Sequence, residues 1–212
     1  MSEFSKDYDA ALRQTQKFHA REKGFSGRFM VRYLDDILTI ARAHKAKSML
    51  DYGCGRGVQY EDPVEVDGRQ IKVTDMLAAA DVRDITKYDP GYPPFAQEPS
   101  GRFDLVICTQ VLGSIPITDL GKVLDRIFSY AIRAVYIGEV LNDAPRKQLH
   151  HTLASAGKMP HAWGRDQWAD QVRAAAARHP TVAAYLRTKD KRKGQPKGVK
   201  ILDTFNVQAD SP

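Results

Sequence analysis

The chain is predicted to fold as an α/β protein: a mostly parallel sheet with helices on both faces, a three-layer α/β/α sandwich, finished by an antiparallel C-terminal pair of strands. Three observations predict it. Apolar residues switch repeatedly between helical spacing and short extended runs. Phe103–Thr109 (Phe-Asp-Leu-Val-Ile-Cys-Thr) is an almost continuous apolar run, as in parallel strands buried on both faces. A second short apolar run, Lys47–Tyr52, leads straight into three closely spaced glycines. Glycine there lets the backbone bend sharply and approach a ligand.

Taken in order, residues 1–45 read as helices packing on the core of one compact unit, and residues 46–212 as its main domain. Ser26 is placed to cap a helix carrying Phe29, Tyr33, Ile37, Ile40 and Ala41 on one face, and Gly24 to end an earlier, more polar helix. Strands follow at Lys47–Tyr52, Asp84–Asp89, Phe103–Thr109 and Ala134–Val140. A helix capped near Thr118 presents Leu120, Val123, Leu124, Ile127, Phe128 and Ala131 at helical spacing. Another opens at Asn142-Asp143, carries Pro145 in its first turn and ends near Gly157; a further one runs from about Asp166 to Arg178. Thr181–Arg187 and Ile201–Val207 read as two closing strands joined by a basic hairpin loop at 188–200. Residues 61–80 read as an insertion, with Val64–Val73 a hairpin turning at Asp67-Gly68.

Composition narrows the classes. The chain has 212 residues, 42% hydrophobic and 27% charged, which is globular rather than disordered. No apolar run approaches the eighteen or so residues of a membrane span. The first nine residues have no basic stretch followed by an apolar one, so no signal peptide and a cytoplasmic setting are expected. Two cysteines, Cys54 and Cys108, make no disulfide framework. The net charge is +6, yet Lys189–Lys200 holds six basic residues and one acid, so this segment supplies almost all of it. A protein that coats nucleic acid spreads such charge over a face.

The glycines stand in Asp51-Tyr52-Gly53-Cys54-Gly55-Arg56-Gly57. A dinucleotide fingerprint needs its third glycine one residue later, where Val58 stands, and no Gly-Lys-Ser/Thr follows for a P-loop. In doubly wound sheets ligands lie beyond the carboxyl ends of the strands. That rule gathers Gly53–Gly57, Asp89–Gly91 and Thr109–Val111 around one crevice.

The segments Leu50–Gly57, Tyr88–Gly91 and Phe103–Leu112 resemble class I, Rossmann-like S-adenosylmethionine-dependent methyltransferases, most closely a subgroup found in phage-related and proteobacterial genomes. The resemblance covers roughly residues 30 to 140, and the glycine loop is its specific part. It implies that S-adenosylmethionine is the cofactor, that Gly53, Cys54, Gly55 and Gly57 contact its methionine portion, that Asp51 positions the loop, and that Pro90, Gln110 and Val111 border the site. An acid at the end of the second strand would bind the ribose hydroxyls, because a carboxylate accepts two hydrogen bonds from a diol. Asp89, 32 residues beyond Gly57, is preferred; Asp67 follows too soon to leave room for a helix and a strand. Two features depart from the family pattern. Gln110-Val111-Leu112-Gly113-Ser114 lacks the Glu-His pair many relatives carry, and the Pro-rich stretch before Phe103 leaves little room for a third strand. Adenine would then rest on Pro90, Tyr92 or Phe95.

Other motifs are weaker. Tyr92-Pro93-Pro94-Phe95 has tyrosine where amino-methylating nucleic-acid enzymes need an amide or carboxylate before the prolines. No His-x-x-x-His or Cys-x-x-Cys spacing points to a metal, and no Gly-x-Ser-x-Gly to a serine nucleophile. Methyl transfer from a sulfonium mainly requires alignment. A base is needed only for a protonated acceptor, with His161, His150, His151 and Asp143 as candidates. Trp168 reads as core, and Trp163 as a loop residue near the acceptor. The expected acceptor is a small molecule or a glycan. The alternatives are a nucleic acid gripped through Lys191, Arg192 and Lys193 of the 189–200 loop, and a non-catalytic cofactor-binding subunit of the same fold.

Overall fold

A computed structural model describes residues 3–21, 24–66, 68–141, 151–160, 163–190 and 200–207. Helix α1, Lys6–His19, begins at Ser5, whose hydroxyl accepts from the Tyr8 amide. It ends before Gly24, not at it. The helix expected from Ser26 is two pieces. Gly27 takes a left-handed φ of +88° and opens a 3-10 turn, Arg28–Tyr33, which passes into α2, Leu34–Ala43. The change of pitch rotates the buried face. Met30, Tyr33, Leu34, Ile37, Leu38, Ile40 and Ala41 are buried, while Phe29 is exposed.

Strand β1, Ser48–Tyr52, is followed by the small hairpin β2, Val64–Val66, and β3, Arg69–Ile71, and by helix α3, Val73–Ala79. The segment read as an insertion therefore also contains the helix of the first crossover, with Val73 and Leu77 buried in the core. Then come β4 (Asp84–Tyr88), β5 (Phe103–Thr109), α4 (Ile117–Ser129), β6 (Ala131–Leu141), α5 (His151–Ser155), α6 (Arg165–Arg178), β7 (Ala183–Asp190) and β8 (Lys200–Phe205). Between Asp89 and Phe103 there is only a 3-10 turn, Pro93–Phe95, in place of a strand. Helix α4 starts after Pro116 rather than on a Thr118 cap. Residues 142–150, where a helix start was expected, lie outside the described residues.

The main sheet runs β4-β1-β5-β6-β7-β8. All neighbours are parallel except β7 and β8, the antiparallel pair at the edge. Strand alternation builds two cores. Leu50, Val106, Cys108, Val135 and Ile137 face α4 and α6, whereas Met49, Leu105, Ile107, Ala134 and Tyr136 face α2 and α3. Strands buried on both faces explain the apolar run of β5. Asp104 fixes the amino ends: its carboxylate accepts from the Lys47 and Ser48 amides at 2.8 and 3.2 Å and from Arg133 Nε. The parallel strands thus end together on one side, where the glycine turn lies. Among the described residues no helix is long and apolar enough to cross a membrane.

Candidate functional site

Beyond Tyr52 the chain turns at once. The Gly53 and Cys54 amides donate to the Tyr88 carbonyl at 2.7 and 3.1 Å, binding the loop to the end of β4. Gly53 has φ +86°, and a Cβ there would stand 2.2 Å from Val111 Cγ2. Gly55 has φ +61°, and a Cβ there would stand 2.6 Å from the Phe25 carbonyl oxygen. Both positions therefore require glycine for conformation and for space. The second contact shows that residues 25–27 lie against the loop. The Arg56 and Val58 amides donate to the Phe25 and Ser26 carbonyls at 2.9 and 3.0 Å.

Asp89 holds the other side of the loop. Its Oδ2 accepts from the Gly55 amide and its Oδ1 from the Gly91 amide, each at 2.8 Å. The residue is 8% exposed, and burial pushes its pKa up against the pull of His19 and of the Gly91, Gly55 and Tyr92 amides. His19, at the end of α1, lies 3.9 Å from Asp89 Oδ2, between Phe25 and Tyr92. Neither ring nitrogen has a hydrogen-bond partner among the described residues, and burial lowers its pKa.

Asp51 is the second buried acid, 1% exposed. Its Oδ2 accepts from Tyr60 Oη at 2.8 Å and from Gln59 Nε2 at 3.2 Å. Burial raises its pKa to about 7, although both hydrogen bonds favour the ionised form. A carboxyl raised above its unfolded value stabilises the fold fully at low pH, and that contribution is lost as pH rises through the folded pKa. The rise from 3.8 to about 7 corresponds to a loss on the order of 4 kcal/mol. Between pH 5 and pH 8 the melting temperature of the wild type is therefore expected to fall relative to that of Asp51→Asn, a gap that thermal denaturation across this range measures. A constant gap would show that Asp51 does not titrate there.

The loop, Asp89–Gly91 and Thr109–Val111 frame one cleft of about 880 Å³, counting its open mouth. Ser114 and Ile115 extend one wall, Phe25 and Phe29 another. Helix α1 forms a roof with Tyr8, Ala11, Leu12 and Thr15. It lies so close that a Cβ on Gly91 would stand 2.5 Å from Thr15 Cγ2. The roof is tied down at several points. Ser5 donates to Asp119 at the start of α4, Lys158 pairs with Asp7, and Ala11 packs on Leu153 and Ala154 of α5. Gln110 is a non-glycine residue with φ +61°, a strained backbone of the kind that concentrates at functional sites. Its amide donates to the Gly138 carbonyl and its Nε2 to Tyr33 Oη, at 2.8 and 3.0 Å.

Of the residues expected at the site, Asp51, Gly53, Cys54, Gly55, Asp89, Pro90, Gln110 and Val111 line this cleft. Gly57 does not: it faces Lys87 and Phe95. Tyr92 and Phe95 also lie outside the lining and pack on each other. Trp168 is core, as expected, but Trp163 packs edge-on against it at 5.3 Å, so it has a structural role. Three of the candidate bases, Asp143, His150 and His161, lie outside the described residues, as do Lys191, Arg192 and Lys193. The fourth, His151, opens α5. Sequence reasoning missed the α1 roof, His19 and Glu139. Glu139 is 4% exposed and accepts from the Leu112 amide at 2.9 Å, anchoring the turn that lacks the Glu-His pair.

A family model described as a methyltransferase domain matches residues 21–185. Comparisons with curated proteins and with solved structures gave no match. The matched span takes in the glycine loop, the Asp89 turn, all five parallel strands of the main sheet up to Tyr185 and the turn after β5, so the chain belongs to the methyltransferase-domain family and is an S-adenosylmethionine-dependent methyltransferase.

Proposed function

We propose that the cleft binds S-adenosylmethionine and that the methyl group passes by in-line displacement to a small-molecule or glycan-type acceptor. The observation that carries this reading is the pair of buried carboxyls, Asp51 and Asp89, on either side of a glycine loop at the carboxyl ends of parallel strands. Two acids whose pKa values burial has raised are poised for a cation, which repays their ionisation. When bound, the cofactor supplies a methyl group on a positively charged sulfur.

The protein's part is to bind and align. The backbone of Gly53–Gly55 admits close approach because no Cβ intervenes at either glycine. Asp89, at the lining of the cleft, accepts from backbone amides, and a carboxylate has acceptor capacity left for a hydroxyl donor. The apolar roof and walls, Leu12, Phe25, Phe29 and Ile115, exclude water from the reacting centre. A helix fixed across the cleft suits an acceptor small enough to enter beside it.

Cofactor affinity is expected to rise from pH 6 to pH 8, as Asp51 ionises through about 7, and to be weaker and less dependent on pH in Asp51→Asn; calorimetric titrations at several pH values measure this. The acceptor class is tested by transfer of labelled methyl into cell extracts fractionated as small molecules, glycans, nucleic acid and protein. Label in the small-molecule or glycan fraction supports the reading. Label in nucleic acid that is lost in the triple Ala variant of Lys191, Arg192 and Lys193 would replace it with the alternative, and label in no fraction would favour a non-catalytic cofactor-binding subunit.

A further inference from the structure

A second cavity, of about 690 Å³ counting its open mouth, lies beside the cleft at the carboxyl ends of β6 and β7. It is lined by Arg32, Tyr33, Asp36, Val140, Arg187 and Lys189. Three cations face it and one carboxylate. That carboxylate is already committed: Asp36 receives both Nε and Nη2 of Arg187, and Tyr136 Oη donates to it at 2.8 Å. Arg187 is thereby held in one orientation. Arg32 lies over the Phe29 ring at 4.8 Å. Neither Arg32 nor Lys189 has an acidic partner among the described residues. Among the described residues, three positive charges and one negative give the lining a formal charge of +2, concentrated in one concave site.

The cavity adjoins the cleft through a shared wall. Tyr33 lines the cavity, Gln110 lines the cleft, and Gln110 Nε2 donates to Tyr33 Oη at 3.0 Å. Tyr33 cannot retreat toward the sheet, because its ring lies over Gly138, where a Cβ would stand 2.9 Å away. A group held in the cavity is thus separated from the cleft by two fixed side chains. Preorganised guanidinium and ammonium groups are the usual receptors of phosphate oxygens.

We propose that this cavity is a binding subsite for a phosphate group of the methyl acceptor, and that the acceptor is a phosphomonoester whose remaining part crosses over the Gln110–Tyr33 wall between the open mouths of the cavity and the cleft. The proposal rests on the methyltransferase reading of the cleft. A phosphomonoester dianion matches the charge of the lining, whereas a phosphodiester linkage brings a single charge.

The test is calorimetric titration of the full chain with phenyl phosphate and, separately, with a single-stranded oligonucleotide. Phenyl phosphate is expected to bind, with affinity reduced about tenfold or more in the Arg32→Glu/Lys189→Glu variant. Arg32→Gln, at an exposed position, is expected to show a smaller loss in the same direction, which keeps the test decisive if the double variant misfolds. No binding of phenyl phosphate, or equal binding by wild type and both variants, would overturn the subsite. Binding of the oligonucleotide alone would overturn the phosphomonoester in favour of nucleic acid. Titration of the wild type with S-adenosylmethionine in parallel separates the two levels. Cofactor binding without phenyl phosphate binding refutes the subsite only, and absence of cofactor binding refutes the reading beneath it.

Discussion

Gly55→Val is expected to abolish cofactor binding and to destabilise the fold by about 3 kcal/mol or more. The left-handed backbone costs an L-residue roughly 1–2 kcal/mol. Overpacking adds roughly 1–3 kcal/mol, because the Cβ would stand 2.6 Å from the Phe25 carbonyl oxygen. That oxygen cannot move freely, since it accepts from the Arg56 amide at 2.9 Å. The strain falls on the loop between Asp51 and Asp89, so the damage reaches the ligand as well as stability. Gly101→Val is the control. Gly101 also has a positive φ, +88°, but a Cβ there meets nothing within 4 Å. It is expected to lower the melting temperature modestly and leave cofactor affinity unchanged. Equal effects of the two substitutions on affinity would show that Gly55 acts through overall stability and not through the site.

Asp89→Ala is expected to cost about 4 kcal/mol and to weaken cofactor binding strongly. The substitution leaves the buried Gly55 and Gly91 amides without an acceptor, at roughly 1–3 kcal/mol each. For a chain of this length the melting temperature should fall by roughly 10 °C. Asp89→Asn keeps one acceptor and turns an amino group toward the other amide, so it should fall between wild type and the Ala variant. Denaturation and calorimetry on the same samples check both effects. An Ala variant as stable as wild type would mean that other groups hold the loop.

Much of the fold and of the cleft is legible in the amino-acid sequence. Strand β5 has the span its apolar run predicts, and the missing third strand follows from too few residues between Asp89 and Phe103. The rule that ligands lie beyond the carboxyl ends of parallel strands brought together the glycine loop, Asp89 and Gln110, which meet in the cleft. What sequence reasoning missed depends on contacts between distant residues. The α1 roof uses Tyr8, Ala11, Leu12 and Thr15, a mixed set with no motif, and is tied down by Ser5 to Asp119. The single left-handed residue Gly27 broke the helix expected from Ser26, turning Phe29 outward where periodicity alone placed it inside. Glu139 gave no signal, because an acid in an apolar strand becomes meaningful only once the Leu112 amide is seen beside it.

Whether the cleft between Asp51 and Asp89 is a cofactor site is decided by calorimetric titration of the wild-type chain with S-adenosylmethionine. Saturable binding at one site per chain, lost in Gly55→Val and retained in Gly101→Val, is expected. A wild-type chain that is folded by circular dichroism and shows no binding would refute the assignment.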